Sequence, residues 1–295
     1  MATRIARAGI VAKTRLGEAA GVVAELAGWL EARGVRPVFD AETAALVGLP
    51  PDRPTCVRDD LPAHCDMIVV LGGDGTLIGM AGRVANAGAD IPIVGVNFGS
   101  LGFLTEITLP ELYPSLEAVL DGTAQIEARL MLRARTLRAD AVYSDRLALN
   151  DVVITKGALS RIIDLSVAIG DLPVMRVRAD GLIIASPTGS TAYNLAAGGP
   201  IVHPTVDALL LTPIAPHMLT NRPIVLPASS EIRIQPAPGA SNDELFVTLD
   251  GQSGHALQAE DVVIVQRADR SVRLVRALTR TYFDVLREKL KWSER

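Results

Sequence analysis

The stretch from Met67 to Thr76 constrains the fold more than any other part of the chain. Met67–Leu71 reads MIVVL, a run without a polar side chain, and it passes directly into Gly72-Gly73-Asp74-Gly75-Thr76 and then into the helix-patterned TLIGMAGRVANA. A strand that is apolar on both faces belongs in the middle of a parallel sheet with helices on each side. Parallel strands need crossover connections, usually helical, so the flanking sequence should alternate strand with helix. It does. Ile5–Ala12 is β-like, Leu16–Arg33 carries Val22, Val23, Leu26, Trp29 and Leu30 at helical spacing before Gly34, and Val35–Phe39 is a short strand. The helix after the glycine turn runs to about Ala87, Ile91–Val96 is a further strand, and Pro110–Leu120 a further helix. The expectation is a doubly wound, Rossmann-like α/β domain over residues 1–124.

From Gln125 the texture changes. Short runs rich in Val, Ile and Leu follow one another: Gln125–Leu137, Leu147–Thr155, Ile162–Ile169, Gly181–Ala185, Glu231–Gln235, Leu245–Leu249, Val262–Val265 and Val272–Val275. Turn residues separate them, and one helical interlude lies near Gly189–Ala197. This pattern predicts a second, β-rich domain over residues 125–279, built as a sandwich of sheets. Arg280–Trp292 is again helical by pattern, with Phe283, Leu286 and Leu290 on one face, and residues 280–295 are expected to return to the first domain.

Composition narrows the partners. A net charge of −4 gives no general drive toward nucleic acid or an anionic membrane, so neither is expected as a partner. No apolar run approaches the ~18–20 residues that span a bilayer, and MATRIARAGIVAKTR lacks the long apolar core of an export leader. The two cysteines, Cys56 and Cys65, match no zinc or CxxC spacing and suit a reducing compartment. A soluble, cytoplasmic protein is expected, working as a homo-oligomer, dimer or tetramer.

The glycine turn carries the first candidate site. Glycines between strand and helix let backbone N–H groups approach a phosphate, and the helix N-terminus adds about half a positive charge. Gly72, Gly73, Gly75 and Thr76 are therefore phosphate-binding candidates, although a glycine pair can also serve only to join strand to helix. Gly73-x-Gly75-x-x-x-Gly79 misses the dinucleotide fingerprint by one residue, and no P-loop sequence occurs. Asp74 is the unexpected residue. A carboxylate in a phosphate cradle opposes binding unless it meets a metal, a hydroxyl or a base, so its presence favours chemistry over simple phosphate holding.

Three further segments stand out. Asn150-Asp151 interrupts the apolar LALNDVVIT, where two polar side chains are costly without partners. Ribose hydroxyls would suit them, donating to a carboxylate and accepting from an amide, though an Asn-Asp pair alone is most often a turn. Arg178-Ala179-Asp180-Gly181 leads through a strand to Ser186-Pro187-Thr188-Gly189-Ser190-Thr191-Ala192-Tyr193-Asn194. Here a helix beginning near Ser190, capped by it, would offer a second polar N-terminus, with Tyr193 placed to stack on a ring. Asp250-Gly251-Gln252 closes a strand and by itself reads as a hairpin turn. The four histidines share no ligand spacing, and no nucleophile elbow occurs.

Together GGDGT, the Asn-Asp pair, the DG-to-GSTAY block, NFGSLGFLTEI at Asn97–Ile107, AGGPIVHP at Ala197–Pro204 and the terminal LREKLKW resemble the bacterial NAD kinase family over most of the chain. The resemblance implies ATP with magnesium as phosphate donor, or inorganic polyphosphate, and the 2′-hydroxyl of the adenosine ribose of NAD as acceptor. It implies Asp74 as the catalytic acceptor of the hydroxyl proton. It implies an NAD site of Asp74, Gly75, Asn150, Asp151, Arg161, Arg178, Asp180, Thr188, Thr191, Ala192, Tyr193, Asn194, Leu195, Ala196 and Gln252. A basic residue at the place of Arg178 goes, in that family, with preference for NAD over NADH. Two departures stand: position 151 is Asp where Glu is commoner, one methylene shorter, and Ala185-Ser186 replaces the usual Ser-Thr. GGDG loops also occur in diacylglycerol-type lipid kinases and, in related form, in phosphofructokinases, so a kinase acting on another hydroxyl is the rival. A non-catalytic NAD sensor is the rival of another class, against which the retained Asp74 counts.

Overall fold

The computed structural model describes residues 4–13, 19–48, 55–157, 162–218, 220–237 and 245–292. The chain divides into two compact units, residues 1–128 with 272–295, and residues 129–271.

In the first unit β1 (Arg7–Ala12), β2 (Arg36–Asp40), β3 (Thr55–Cys56), β4 (Met67–Leu71) and β5 (Pro92–Asn97) form a parallel sheet in the order β3-β2-β1-β4-β5. Every residue of β4 is buried, as the MIVVL run requires. Helices α1 (Ala19–Glu31), α2 (Ala41–Leu46), α3 (Asp74–Ala87) and α4 (Leu112–Leu120) accompany the sheet, and the two-residue strand β6 (Ile107–Thr108) pairs with the end of β5. α1 buries Val23, Leu26 and Leu30 and is followed by Gly34 at φ +73°. α3 ends on Gly88 at φ +68°, a left-handed stop that favours glycine. α2 was not foreseen: Ala41–Leu46 has no apolar period, and what starts it is the Asp40 carboxylate accepting the Thr43 N–H at 2.8 Å.

One relationship fixes the site in this unit. The chain runs outward from β1 to β2 and later returns to place β4 on the other side of β1. That reversal is the topological switch point, where open α/β sheets bind ligands at the carboxyl ends of their strands. The glycine turn leaves the carboxyl end of β4 at this point, and Lys13, just beyond β1, donates its backbone N–H to Leu71 O at 3.0 Å.

The second unit is a β-sandwich. β7 (Ile126–Arg138) enters it, followed by β8 (Ala141–Ala148), β9 (Asp151–Lys156), β10 (Ile163–Ile169), β11 (Leu172–Ala179) and β12 (Gly181–Ala185). The single-turn helix α5 (Tyr193–Ala196) precedes β13 (Ala208–Ile214), β14 (Ile224–Pro227), β15 (Ile232–Pro236), β16 (Leu245–Leu249), β17 (Ser253–Leu257) and the long β18 (Val262–Val275). One sheet has the antiparallel order β14-β13-β12-β9-β16-β17; the facing strands are β11-β10-β15-β18, with β7 on β18 and β8 on β7. Val152 and Ile154 of β9, Leu182 and Ile184 of β12, and Leu209 and Leu211 of β13 meet Leu165, Val167, Ile232, Ile234, Val263 and Val265 in one core. The alternate residues Val153, Ile183, Ala185 and Leu210 form a second cluster, packed by Ala197 and Val202. Burial on both faces explains why these strands read as continuous apolar runs.

The differences from expectation are local. The expected strand Leu147–Thr155 is broken at Leu149–Asn150 into the end of β8 and the start of β9, because these two residues turn a corner, while Asp151 opens β9 opposite Ala185 of β12. Val262–Val265 and Val272–Val275 are the two ends of a single strand, β18. Its last part, Arg273 and Leu274, pairs in parallel with Pro92 and Ile93 of β5. The chain therefore rejoins the first unit at 272, not at 280, and leaves it at 128, not 124. The terminal helix α6 (Tyr282–Leu290) starts with a capping box between Thr281 and Asp284 and buries Val285 and Leu286 in that unit.

Candidate functional site

Asp74 is the first residue of α3, after Gly73 in extended conformation. Its charge sits at the positive end of the helix, and it is held by the loop that follows β5. Oδ1 accepts from the N–H of Leu104 at 3.1 Å, the N–H of Thr105 at 2.9 Å and the Thr105 hydroxyl at 2.9 Å; Oδ2 accepts from the N–H of Phe103 at 2.8 Å. The repulsion that a carboxylate should bring to a phosphate cradle is thus met by four donors and a helix terminus. Gly102 makes the loop possible, since a Cβ there would run into Asp74 Oδ1 and Thr105 Oγ1.

The glycine turn is only partly available to a phosphate. The Gly72 N–H donates to Val96 O at 2.9 Å and the Thr76 N–H to Gly73 O at 3.0 Å, so these two expected phosphate-binding amides are committed to the fold. Gly72 is instead a packing glycine, with Thr76 Oγ1 at 3.0 Å from where its Cβ would lie. Gly73 and Gly75 lie at the rim of the turn, Gly75 exposed.

In the second unit the sequence Leu149-Asn150-Asp151 turns the corner into β9, and Asp250 holds it. The Asp250 carboxylate accepts the N–H groups of Leu149 at 2.8 Å, Asn150 at 2.7 Å and Asp151 at 3.1 Å. Asp250 has φ +53° and Gly251 φ +63°, the left-handed pair that closes the β16–β17 hairpin and aims this carboxylate inward. From the opposite side the Ser186 N–H donates to Asn150 O at 2.8 Å, and the Ser186 hydroxyl donates to Leu149 O and accepts the Gly189 N–H. Gly189 lies against the Asn150 backbone so closely that a Cβ has no room.

This clamp presents polar atoms that no described residue satisfies. Asn150, Asp151 and Thr188 are 9%, 5% and 5% exposed. Asn150 Oδ1 and Thr188 Oγ1 are buried without a hydrogen-bond partner among the described residues, and no described residue donates to the Asp151 carboxyl. Burial, and then the neighbouring Asp250 charge, push the Asp151 carboxyl up to about 7. Burial also raises Asp250, against the pull of its three amide donors. An acceptor and a hydroxyl buried unpaired cost free energy unless a ligand supplies the missing bonds.

Other expected site residues fall into place or out of it. The helix expected from Ser190 is a 3-10 turn over Thr188–Thr191 followed by the four residues of α5, without a side-chain cap. Ser190 Oγ bonds instead to Val202, donating to its carbonyl and accepting its N–H, each at 3.1 Å. Asn194 is fully buried, and its amide is used by Ser190 O, Pro200 O and the Thr212 hydroxyl, so it builds the turn from within. Tyr193 presents its ring, 43% exposed, beside the partly buried Thr191, Ala192 and Leu195 and the exposed Ala196. Asp180 pairs with Lys156 at 2.8 Å rather than with Arg178, which is exposed on β11. The Gln252 N–H closes the hairpin onto Leu249 O, its side chain exposed. Arg161 lies outside the described residues.

The residues that hold the functional groups were not among the candidates: Thr105 and Gly102 beside Asp74, and Asp250, Ser186 and Gly189 around Asn150. Asp250 could have been suspected from Asp-Gly, a pair suited to left-handed backbone. Thr105 and Gly102 stood inside NFGSLGFLTEI without a feature that linked them to a carboxylate about thirty residues earlier. No three His, Cys, Asp or Glu side chains among the described residues gather as a metal site.

Comparison with known proteins agrees across both units. Residues 8–124 match the model of the ATP-NAD kinase N-terminal domain and residues 149–277 that of the ATP-NAD kinase C-terminal domain. NAD kinase of Geotalea daltonii is 48% identical over 286 residues, 97% of this chain and 98% of that protein; NAD kinase of Geobacter sulfurreducens is 49% identical over the same shares. Among solved structures, yeast NADH kinase complexed with NADH superposes with a TM-score of 0.88 at 26% identity, covering 99% of this chain and 89% of that one. An NAD kinase from Archaeoglobus fulgidus in complex with ATP shares the fold at a TM-score of 0.74 and 24% identity, over 96% of this chain and 99% of that one. With two domain models of one family accounting for both halves, and close to half the residues shared over nearly the whole length, this chain belongs to the NAD kinase family.

Proposed function

We propose that the enzyme transfers the γ-phosphoryl group of ATP to the 2′-hydroxyl of the adenosine ribose of NAD, giving NADP and ADP. The observation that carries this reading is the buried corner of the second unit, where Asn150 Oδ1 and Thr188 Oγ1 have no hydrogen-bond partner among the described residues and no described residue donates to the Asp151 carboxyl. A ribose edge offers hydroxyl donors to all three and can accept from the Asn150 amide. Tyr193 and the short turn before it are proposed to contact the rest of the dinucleotide.

Phosphoryl transfer runs through a loose transition state, in which the enzyme mainly positions groups and offsets charge. Gly73 and Gly75 at the start of α3 are proposed to face the phosphates, supported by the positive end of that helix. Asp74 is proposed to take the proton from the attacking hydroxyl. Magnesium enters with the nucleotide as its counter-ion, because few ATP sites bind this cation through protein ligands alone. Inorganic polyphosphate is a second candidate donor.

A coupled assay tests the reading directly. Purified protein with NAD, ATP and magnesium should form a product reducible by an NADP-specific dehydrogenase, and its new phosphate should lie on the 2′-carbon by 31P–1H correlation. Phosphate on another hydroxyl, or turnover of diacylglycerol or a sugar phosphate in place of NAD, would overturn it. Replacing ATP by polyphosphate in the same assay decides the donor.

A further inference from the structure

We propose that Thr105 is a positioning residue for catalysis, which locks Oδ1 of Asp74 and leaves Oδ2 as the atom that accepts the hydroxyl proton. The inference rests on Asp74 as the proton acceptor and goes beyond it by naming the atom and the residue that selects it.

The two carboxylate oxygens are in different situations. Oδ1 accepts three hydrogen bonds, two of them from Thr105 through its N–H and its hydroxyl. Among the described residues Oδ2 accepts one, from Phe103. A carboxylate offers about four lone-pair sites in all, so Oδ1 is saturated while Oδ2 keeps a site open. The direction of the Thr105 hydroxyl is also fixed. Asn97 Nδ2 donates to Thr105 Oγ1 at 3.1 Å, so the threonine proton is directed away from Asn97, to Asp74. Asn97 is itself held, donating to Ser100 O at 2.7 Å and accepting the Gly99 N–H at 2.6 Å.

The loop is anchored beyond Thr105. Glu106 is buried and accepts Arg276 Nε at 3.0 Å, while its carbonyl accepts Arg280 Nη1 at 2.9 Å. Arg276 also bonds to Glu127 at 3.0 Å and Arg280 to Glu111 at 3.1 Å. The returning C-terminal segment therefore pins the residue next to Thr105, and the carboxylate cannot rotate without breaking this chain of bonds. In the reaction the ribose O–H bond breaks and its proton passes to Asp74 Oδ2. The freed oxygen bonds to the γ-phosphorus, and ADP leaves with the electron pair of the broken P–O bond.

Thr105→Val keeps the shape and the backbone donor but removes the hydroxyl, and Thr105→Ser restores it. Thr105→Val should lower kcat roughly tenfold or more, the scale of a lost bond to a charged group, with KM for NAD and for ATP within about twofold of wild type. Thr105→Ser should recover most of kcat. If Thr105→Val does not fold, Thr105→Ala gives the same comparison with no branched side chain to place. Full kcat in the valine or alanine variant would overturn the proposal, as would a serine variant as slow as valine, which would assign the effect to the methyl group. The failures are separable: an active Asp74→Asn enzyme removes the underlying role of Asp74, whereas an inactive Asp74→Asn beside a fully active Thr105→Val removes only this inference.

Discussion

Asp151 and Asp250 are tied to each other by two reciprocal bonds, the Asp250 N–H donating to the Asp151 backbone O at 2.9 Å and the Asp151 N–H to the Asp250 carboxylate Oδ1 at 3.1 Å. The clamp builds the corner by placing two carboxyl groups together out of water. Asp250 uses its charge on three amides, whereas no described residue donates to the Asp151 carboxyl, which burial and the Asp250 charge push from 3.8 up to about 7.

Stability should therefore fall with pH across this window. The folded chain keeps a proton on Asp151 that the unfolded chain releases above about pH 4. The stabilising difference is present at low pH and is lost as pH rises toward 7. Asp151→Asn cannot ionise, so it should gain stability relative to wild type by roughly 2–4 kcal/mol between pH 5 and pH 8, about 1.4 kcal/mol per unit of pKa difference with some relaxation allowed. Urea midpoints at the two pH values measure it. Parallel pH dependences for wild type and variant would show that Asp151 does not carry the effect.

The same carboxyl should matter to the substrate. Asp151→Ala is expected to weaken NAD binding by roughly 1–3 kcal/mol, as for loss of a buried hydrogen-bond partner, which raises KM for NAD about fivefold to 150-fold. KM for ATP should hardly move. A normal KM for NAD in a folded variant would remove Asp151 from the ribose contact.

Arg178 bears on redox form. It is exposed on β11, and among the described residues its guanidinium pairs with no carboxylate: Asp180 is taken by Lys156, and Asp164, opposite it in register, by Arg176. The family resemblance links a basic residue at this place with preference for NAD over NADH. The ratio of kcat/KM for the two substrates should therefore strongly favour NAD. Comparable values would show that this carry-over does not hold at position 178.

The sequence was most legible where burial leaves a pattern. MIVVL followed by glycines identified a central parallel strand and the turn at the switch point, and the apolar runs of β9 and β12 identified a strand-rich second unit. It was least legible where hydrogen bonds decide. α2 depends on one cap at Asp40, β8 is half exposed and carries no strong alternation, and β11 has an exposed face. The candidate residues Asp74 in the first unit and Asn150, Asp151 and Thr188 in the second stood out because polar side chains in apolar or glycine-rich surroundings need a reason. The residues that hold them did not, because Thr105 and Asp250 act over long separations through backbone amides, and no spacing rule connects a turn aspartate to a corner one hundred residues earlier.

The proton-accepting role of Asp74 is decided by kcat for Asp74→Asn, read with NAD affinity on the same protein. Asparagine keeps the shape at the start of α3 and removes the charge that would take the proton. General-base assistance is typically worth roughly 10²–10⁴ in rate, or about 3–5 kcal/mol of barrier. With Asp74 as the general base, kcat should fall at least about a hundredfold with NAD affinity little changed, the pattern of an interaction made mainly in the transition state. Recovery of most of the rate by raised magnesium or by manganese would assign Asp74 to the metal instead. A variant keeping more than about a tenth of the wild-type kcat, far above that general-base expectation, would remove Asp74 from the proton transfer.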